Sequence, residues 1–188
     1  KDYVAAILAS SARLGEQIES ILDLSQSEAG LLPLGREEIE LEPLARSLAA
    51  EREERVKQAE LALDVQVSDG CGTIEGDRRR LSRVIGHLID NSIAATAPGG
   101  RILLHVSRES DAGRDWARIV ISDNGCGMTS AELARALDGI KLGGDGKGAD
   151  RRQGIGLPLA RQLIEAHGGT LQIISEPGEG TAAIVDLP

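Results

Sequence analysis

Four short stretches of the chain carry residue types suited to holding a phosphorylated, ring-bearing ligand. The run DNGCGM, Asp123 to Met128, directly follows the apolar RIVIS. An acid at a strand exit can accept a hydrogen bond from an exocyclic amine, and Gly125 and Gly127 would let a ligand ring approach the backbone. Asp-Asn-Gly is equally a common turn in which the acid caps backbone amides. His87 and Asn91 stand four apart in a helical pattern and so share a face. Asn91 falls on an apolar stripe of Leu81, Val84, Leu88 and Ala95. Helix geometry alone favours a buried asparagine bonded to backbone; the chemical reading is an amide oxygen offered to a metal or phosphate. GIGL, Gly154 to Leu157, puts Gly154 and Gly156 just before a helix, where backbone N–H groups and the helix dipole attract anions. The preceding GGDGKGADRR carries Lys147, Arg151 and Arg152, is too glycine-rich to pack, and could close over phosphates. Last, SEPGEGT sets Gly178, Gly180 and Thr181 between the final two strands, and in isolation reads as a hairpin turn. No P-loop run GxxxxGK[ST] and no dinucleotide fingerprint occurs.

The elements that must position these residues fall into two parts. Val4, Ile7, Ser11, Leu14, Ile18, Ile21 and Ser25 alternate steps of three and four, a heptad seam that predicts one long helix over about residues 2–30. At about 1.5 Å per residue it would be about 40 Å long. Gly30 and Pro33 would stop it. Such a seam calls for a partner helix, in a hairpin with a helix upstream of Lys1 or in a dimer. Over 36–188 the element types alternate. Strands are predicted at EIEL (38–41), LALDVQV (61–67), RILLHVSRE (101–109), WARIVISD (116–123), TLQIISE (170–176) and TAAIVDL (181–187). Helices are predicted from Pro43 to about Ala59, from Asp77 to about Ala97, over about 130–138, and from about Leu157 to His167. His105 reads as a strand residue, and His167 as a favourable charge near a helix C-terminus. The expected fold class is α+β, an α/β sandwich of two layers with the helices on one face of the sheet, preceded by one long coiled-coil-like helix.

Bulk composition excludes several classes. The chain has 188 residues and 30 Asp and Glu against 21 Lys and Arg, a net charge of −9. An acidic chain without a basic run is a poor partner for nucleic acid or an anionic membrane surface. Its densest basic cluster, DRRRLSR, sits in a helix and reads as a solvated face. Cys71 and Cys126 form no CxxC pair, which fits a reducing cytoplasm. No apolar run approaches the roughly 20 residues of a membrane span. The chain starts at Lys1 without methionine and reads as a fragment whose upstream part could carry targeting or membrane segments.

Taken in order, the four stretches resemble the ATP-binding domain of sensor histidine kinases, in the superfamily shared with gyrase and Hsp90 (the Bergerat fold). HLIDNSIAAT resembles that family's asparagine box; DNGCGM, GIGL and GEGT resemble its three glycine boxes. The opening helix with ILDLSQSEAGLLPL is similar to the second helix of the family's dimerisation and phosphotransfer domain. The resemblance implies two domains, a partial phosphotransfer bundle at 1–33 and a complete catalytic domain at 36–188. It implies ATP and Mg²⁺ as cofactors, with Asn91 as the protein's ligand to Mg²⁺ and Asp123 bonded to the adenine amine. Gly125 and Gly127 would line the base, Gly154, Gly156 and the Lys147 loop would hold the phosphates, and Thr181 would sit behind the adenine. His87, Met128, Ile155 and Leu157, in the same boxes, are carried as nucleotide-binding positions.

The chain departs from the family pattern at several places. The family usually has asparagine at the position of His87, where ATP-hydrolysing relatives have a glutamate base. It has Lys or Arg where this chain has Ala94. Its lid phenylalanines are missing, with Leu137 and Ile140 near their places, and Arg152 replaces a glycine. These changes remove phosphate or lid contacts and resemble an atypical kinase of the DivL type. None of His87, His105 and His167 has the family's acceptor setting, so the resemblance places a phosphoacceptor upstream of Lys1. The implied activity is transfer of the γ-phosphate to that acceptor and then to a response-regulator receiver domain, with homodimerisation through helix 2–30. Two alternatives stay open. One is a pseudokinase scaffold that regulates another kinase or regulator by binding; the other, an anti-sigma-type kinase, is disfavoured by the heptad helix.

Overall fold

A computed structural model describes residues 33–111, 113–138 and 156–188. The predicted helix over 2–30, its heptad seam and the homodimer built on it lie outside the described residues, as do Ile140, Lys147, Arg151, Arg152, Gly154 and Ile155. The elements run β1 (Glu37–Glu40), α1 (Leu41–Ala50), α2 (Glu53–Gln58), β2 (Ala62–Val67), β3 (Thr73–Gly76), α3 (Arg78–Ala95), β4 (Arg101–Asp111), β5 (Arg114–Asp123), α4 (Ser130–Asp138), α5 (Gly156–Ala166), β6 (Thr170–Glu176) and β7 (Gly180–Leu187).

The main sheet has five strands in the order β2-β4-β5-β7-β6. β2 and β4 are parallel, joined by a crossover through α3, and every other pair is antiparallel. Alternation decides which face is covered. Ile102, Leu104 and Val106 of β4, Ala117, Ile119 and Ile121 of β5, and Ala183, Val185 and Leu187 of β7 are buried, while the residues between them are partly open. Helices α1, α3 and α5 press Leu44, Leu48, Leu81, Ile85, Ile89, Leu163 and Ile164 onto that face in one continuous core. The architecture is the α+β, two-layer sandwich that the sequence pattern predicts.

Three local expectations are corrected. The helix predicted from Pro43 begins two residues earlier, at Leu41, so Pro43 stands third. It is tolerated there because the first four N–H groups of a helix have no intrahelical partner. That helix also breaks after Ala50. Arg52 turns its guanidinium back to the Leu48 carbonyl at 3.0 Å and across to Asp90 of α3 at 3.0 Å, and a second helix starts at Glu53. The strand β3 has no counterpart in the sequence reading, because TIEG offers one large apolar residue among glycine-rich flanks; pairing with β1 makes it a strand.

His167 carries no helix-terminus charge. Its Nε2 accepts the Asp77 N–H at 3.0 Å, and its Nδ1–H donates to the Leu163 carbonyl at 2.6 Å. Only the neutral ring can do both, and it is buried. It ties the start of α3 to the end of α5, beside the Asp77 carboxylate that caps α3 by accepting the Arg80 N–H.

Candidate nucleotide-binding site

Asp123 is the last residue of β5, at the edge of the core between the end of α3 and the start of β7. It is 9% exposed, and its carboxylate is held by three donors. Ser92 Oγ donates to Oδ2 at 2.8 Å, the Gly125 N–H to Oδ1 at 3.0 Å, and the Thr181 N–H to Oδ1 at 3.2 Å. A carboxylate offers about four lone-pair positions, so one stays open to a further donor. The turn-cap reading of DNGCGM holds, and the acid keeps one acceptor position beyond the three bonds it accepts within the chain.

The glycines of this stretch are needed for a reason the sequence reading did not give. A Cβ at Gly125 would overlap the Ala95 carbonyl at the end of α3, and one at Gly127 would overlap the Glu176 carbonyl. Gly127 also has φ of 62°, a conformation that side chains with a Cβ disfavour. The close approach they permit is thus to the chain's own backbone. Cys126 donates its N–H to the Ala95 carbonyl at 3.1 Å and accepts from the Gly178 N–H at 2.8 Å, which sews the first glycine-rich loop to α3 and to the β6–β7 turn.

That turn is the hairpin read from SEPGEGT, and it also serves the site. Ser175 Oγ accepts the Met128 N–H at 2.9 Å, donates to the Gly180 carbonyl at 3.0 Å, and lies 2.9 Å from Thr181 Oγ1. Thr181 faces Asp123 in the strand register. Ser92 and Ser175 were missed from sequence. Ser92 is adjacent to Asn91 in the asparagine-bearing helix and could have been flagged as a small hydroxyl on the buried side; Ser175 had no local signal.

On α3 the buried stripe is Leu81, Val84, Ile85, Leu88, Ile89, Ser92 and Ile93. Asn91 and His87 lie at its margin, partly exposed, and Ala95 is also only partly buried. The expectation of Asn91 as a buried residue bonded to backbone is corrected: its Nδ2 meets His87 Nε2 at 3.2 Å. Burial pushes the His87 imidazole below its ordinary value, against the opposing pull of the Asp90 carboxylate and with some help from the Arg52 charge. Asp90 itself is shared by Arg52 at 3.0 Å and Arg55 at 2.7 Å. Gly156, the first residue of α5, abuts the His87 ring so closely that any Cβ would overlap it. Leu157 follows, partly buried against the core. The structure therefore brings together two linked groups: Asp123, Gly125, Gly127, Met128 and Thr181 on one side, and His87, Asn91 and Gly156 on the other, joined through Ser92. Lys147, Gly154 and Ile155 are outside the described residues.

This fold and the order of its boxes define an ATPase domain of the Bergerat class. The family model described as histidine kinase-, DNA gyrase B- and HSP90-like ATPase matches residues 76–188, and the chain belongs to that family, in its sensor histidine kinase branch. Among curated proteins it is 34% identical over 191 residues to the sensor protein DivL of Caulobacter vibrioides, a match covering 100% of this chain and 23% of that protein. The chain thus spans less than a quarter of that relative. Full-length ShkA, solved in complex with AMPPNP, superposes with a TM-score of 0.79 at 24% identity, covering 100% of this chain and 38% of that one. The histidine kinase ThkA, solved in complex with the response regulator protein TrrA, gives a TM-score of 0.72 at 22% identity, with 100% and 51% coverage. At these identities the two structures speak for the fold alone. Among the described residues no helix is long and apolar enough to cross a membrane.

Proposed function

We propose that the chain is the nucleotide-binding part of a two-component sensor kinase, taking Mg-ATP and presenting its γ-phosphate to an acceptor on a phosphotransfer bundle. The observation that carries this is the Asp123 carboxylate, buried at a strand exit with three donors in place and one acceptor position open. That donor set suits an adenine amine: a neutral N–H finds a fixed acceptor in a desolvated place. Asn91, with its Nδ2 turned to His87, has its amide oxygen available for Mg²⁺. Magnesium suits such a place, since it keeps waters and phosphates and takes few protein ligands. Among the described residues no group of three or more His, Cys, Asp and Glu could hold a metal by itself, so phosphate oxygens would supply much of the shell.

In this reading Gly125, Gly127 and Met128 border the base, Thr181 and Ser175 fix the wall behind it, and Gly156 and Leu157 begin the helix that faces the phosphates; Gly154, Ile155 and Lys147, outside the described residues, are proposed as phosphate-binding on the resemblance alone. Mg²⁺ when bound neutralises charge on the phosphates. The protein's part is positioning: Asp123 selects and orients the base, and Asn91 fixes the metal side relative to α3. Hydrolysis of the gyrase kind is not part of the reading, because His87 stands where a glutamate base would be. The next acceptor would be the receiver domain of a response regulator.

Calorimetric titration of Mg-ATP into wild type and Asp123→Ala tests this. Micromolar to sub-millimolar binding, lost in a variant whose denaturation curve shows it folded, is the expected outcome. No binding by wild type would overturn the reading and favour a second one, a scaffold of the pseudokinase type acting on a partner kinase or regulator. Ala94 and His87, at positions where the family carries a basic residue and an asparagine, are the observations on its side.

A further inference from the structure

We propose that His87 is a positioning residue for Asn91: its Nε2 accepts the Asn91 Nδ2–H and so turns the amide oxygen of Asn91 outward. The proposal rests on the assignment of Asn91 to the Mg²⁺–phosphate side of the site. An amide carries its N–H₂ and its oxygen on opposite branches, so fixing one fixes the other. The two side chains sit one helical turn apart on α3, with Nδ2 and Nε2 separated by 3.2 Å. An imidazole can accept at Nε2 only as the neutral ring with its proton on Nδ1.

The ring is also confined. Its Nε2 edge lies against Gly156 at the start of α5, where the missing Cβ leaves the space that the imidazole fills. A ring pressed against backbone at Gly156 has lost rotameric freedom already, so ordering Asn91 through it costs less further entropy. His87 thereby couples the asparagine of α3 to the first turn of α5, the two elements that must face the same phosphates. A change at either end is felt at the other through one side chain.

Two measurements on the 188-residue chain decide the matter. The first is the nitrogen-15 spectrum of the imidazoles without nucleotide, the His87 signals being identified by their loss in His87→Phe. A proton on Nδ1 and an accepting Nε2 are expected; the Nε2–H form overturns the proposal whatever the site binds. The second is ATP affinity with Mg²⁺ and with chelator. His87→Phe keeps a ring against Gly156 and removes the acceptor. It should lose roughly two- to tenfold of the Mg²⁺-dependent gain, the range for one net hydrogen bond, read as the ratio of affinity with Mg²⁺ to affinity in chelator. His87→Gln, which retains an acceptor, should keep part of that gain. An equal loss in both conditions, or no loss, would assign the ring to packing alone and overturn the proposal. If wild type itself gains nothing from Mg²⁺, the assignment of Asn91 fails and the proposal falls with it. That outcome is distinguishable, because the tautomer is read without ligand.

Discussion

Replacing Asp123 separates its architectural task from its ligand-binding one. In Asp123→Ala three donors lose their acceptor: Ser92 Oγ, the Gly125 N–H and the Thr181 N–H. The hydroxyl can rotate to another partner, whereas the two backbone N–H groups are fixed by the loop and by the β5–β7 ladder. Each buried donor left unsatisfied costs roughly 1–3 kcal/mol, so the variant should lose about 3 kcal/mol of stability. Asp123→Asn keeps the shape. Its oxygen can face the two N–H groups and its Nδ2 can face Ser92, whose oxygen accepts. Only charge assistance is lost, about 1–2 kcal/mol. Urea denaturation reads both. With a slope of about 2 kcal/mol/M, the alanine midpoint should fall by about 1.5 M and the asparagine midpoint by about half of that. Equal midpoints for the two variants, or an alanine variant as stable as wild type, would refute the argument that this carboxylate holds the loop through three accepted bonds.

Other consequences follow from the same contacts. Gly127→Ala meets a backbone carbonyl in a left-handed conformation and should cost about 2–4 kcal/mol, whereas Gly86→Ala meets only the movable end of Arg52 and should stay within about 1 kcal/mol of wild type, because helix propensity offsets a weakened Arg52–Asp90 pair; paired melting curves check the contrast. Leu163→Ala empties a site of 0% exposure between α5 and the sheet and should cost about 2–5 kcal/mol in denaturant. Glu132 closes a capping box on α4, accepting from the Thr129 N–H and hydroxyl at 2.8 Å each, and these bonds hold its carboxyl below the usual 4.5. A carboxyl with a depressed folded value stabilises above its unfolded value and loses that contribution as pH falls through the folded one. The stability gap between wild type and Glu132→Gln should therefore close as pH drops below 4.5, and a gap that persists unchanged in acid would contradict the capping role.

Alternation and helical periodicity in the sequence determined the strands β2, β4, β5, β6 and β7, the helices α3, α4 and α5, and the two-layer arrangement, because those patterns record which face of each element is buried. The four boxes, with Asn91, Asp123, Gly125, Gly127, Gly156 and Thr181 in them, were legible for the same local reason: glycines and acids at element ends are visible in single runs. What the tertiary structure decided lies in contacts between distant positions. Ser92 reaches Asp123 across 31 residues and Thr181 reaches it across 58, so neither partner has a signature near the acid. The break between α1 and α2 follows from an arginine drawn to α3, and β3 exists because β1 lies beside it. His167 looked like a helix-end charge because its position in the chain is that of one. Only the arrival of the Asp77 N–H from the start of α3 makes it a neutral, buried staple. Even the glycines, obvious as residues, had their reason hidden, since the atoms that exclude a side chain at Gly127 and Gly156 belong to Glu176 and His87, brought there by the fold.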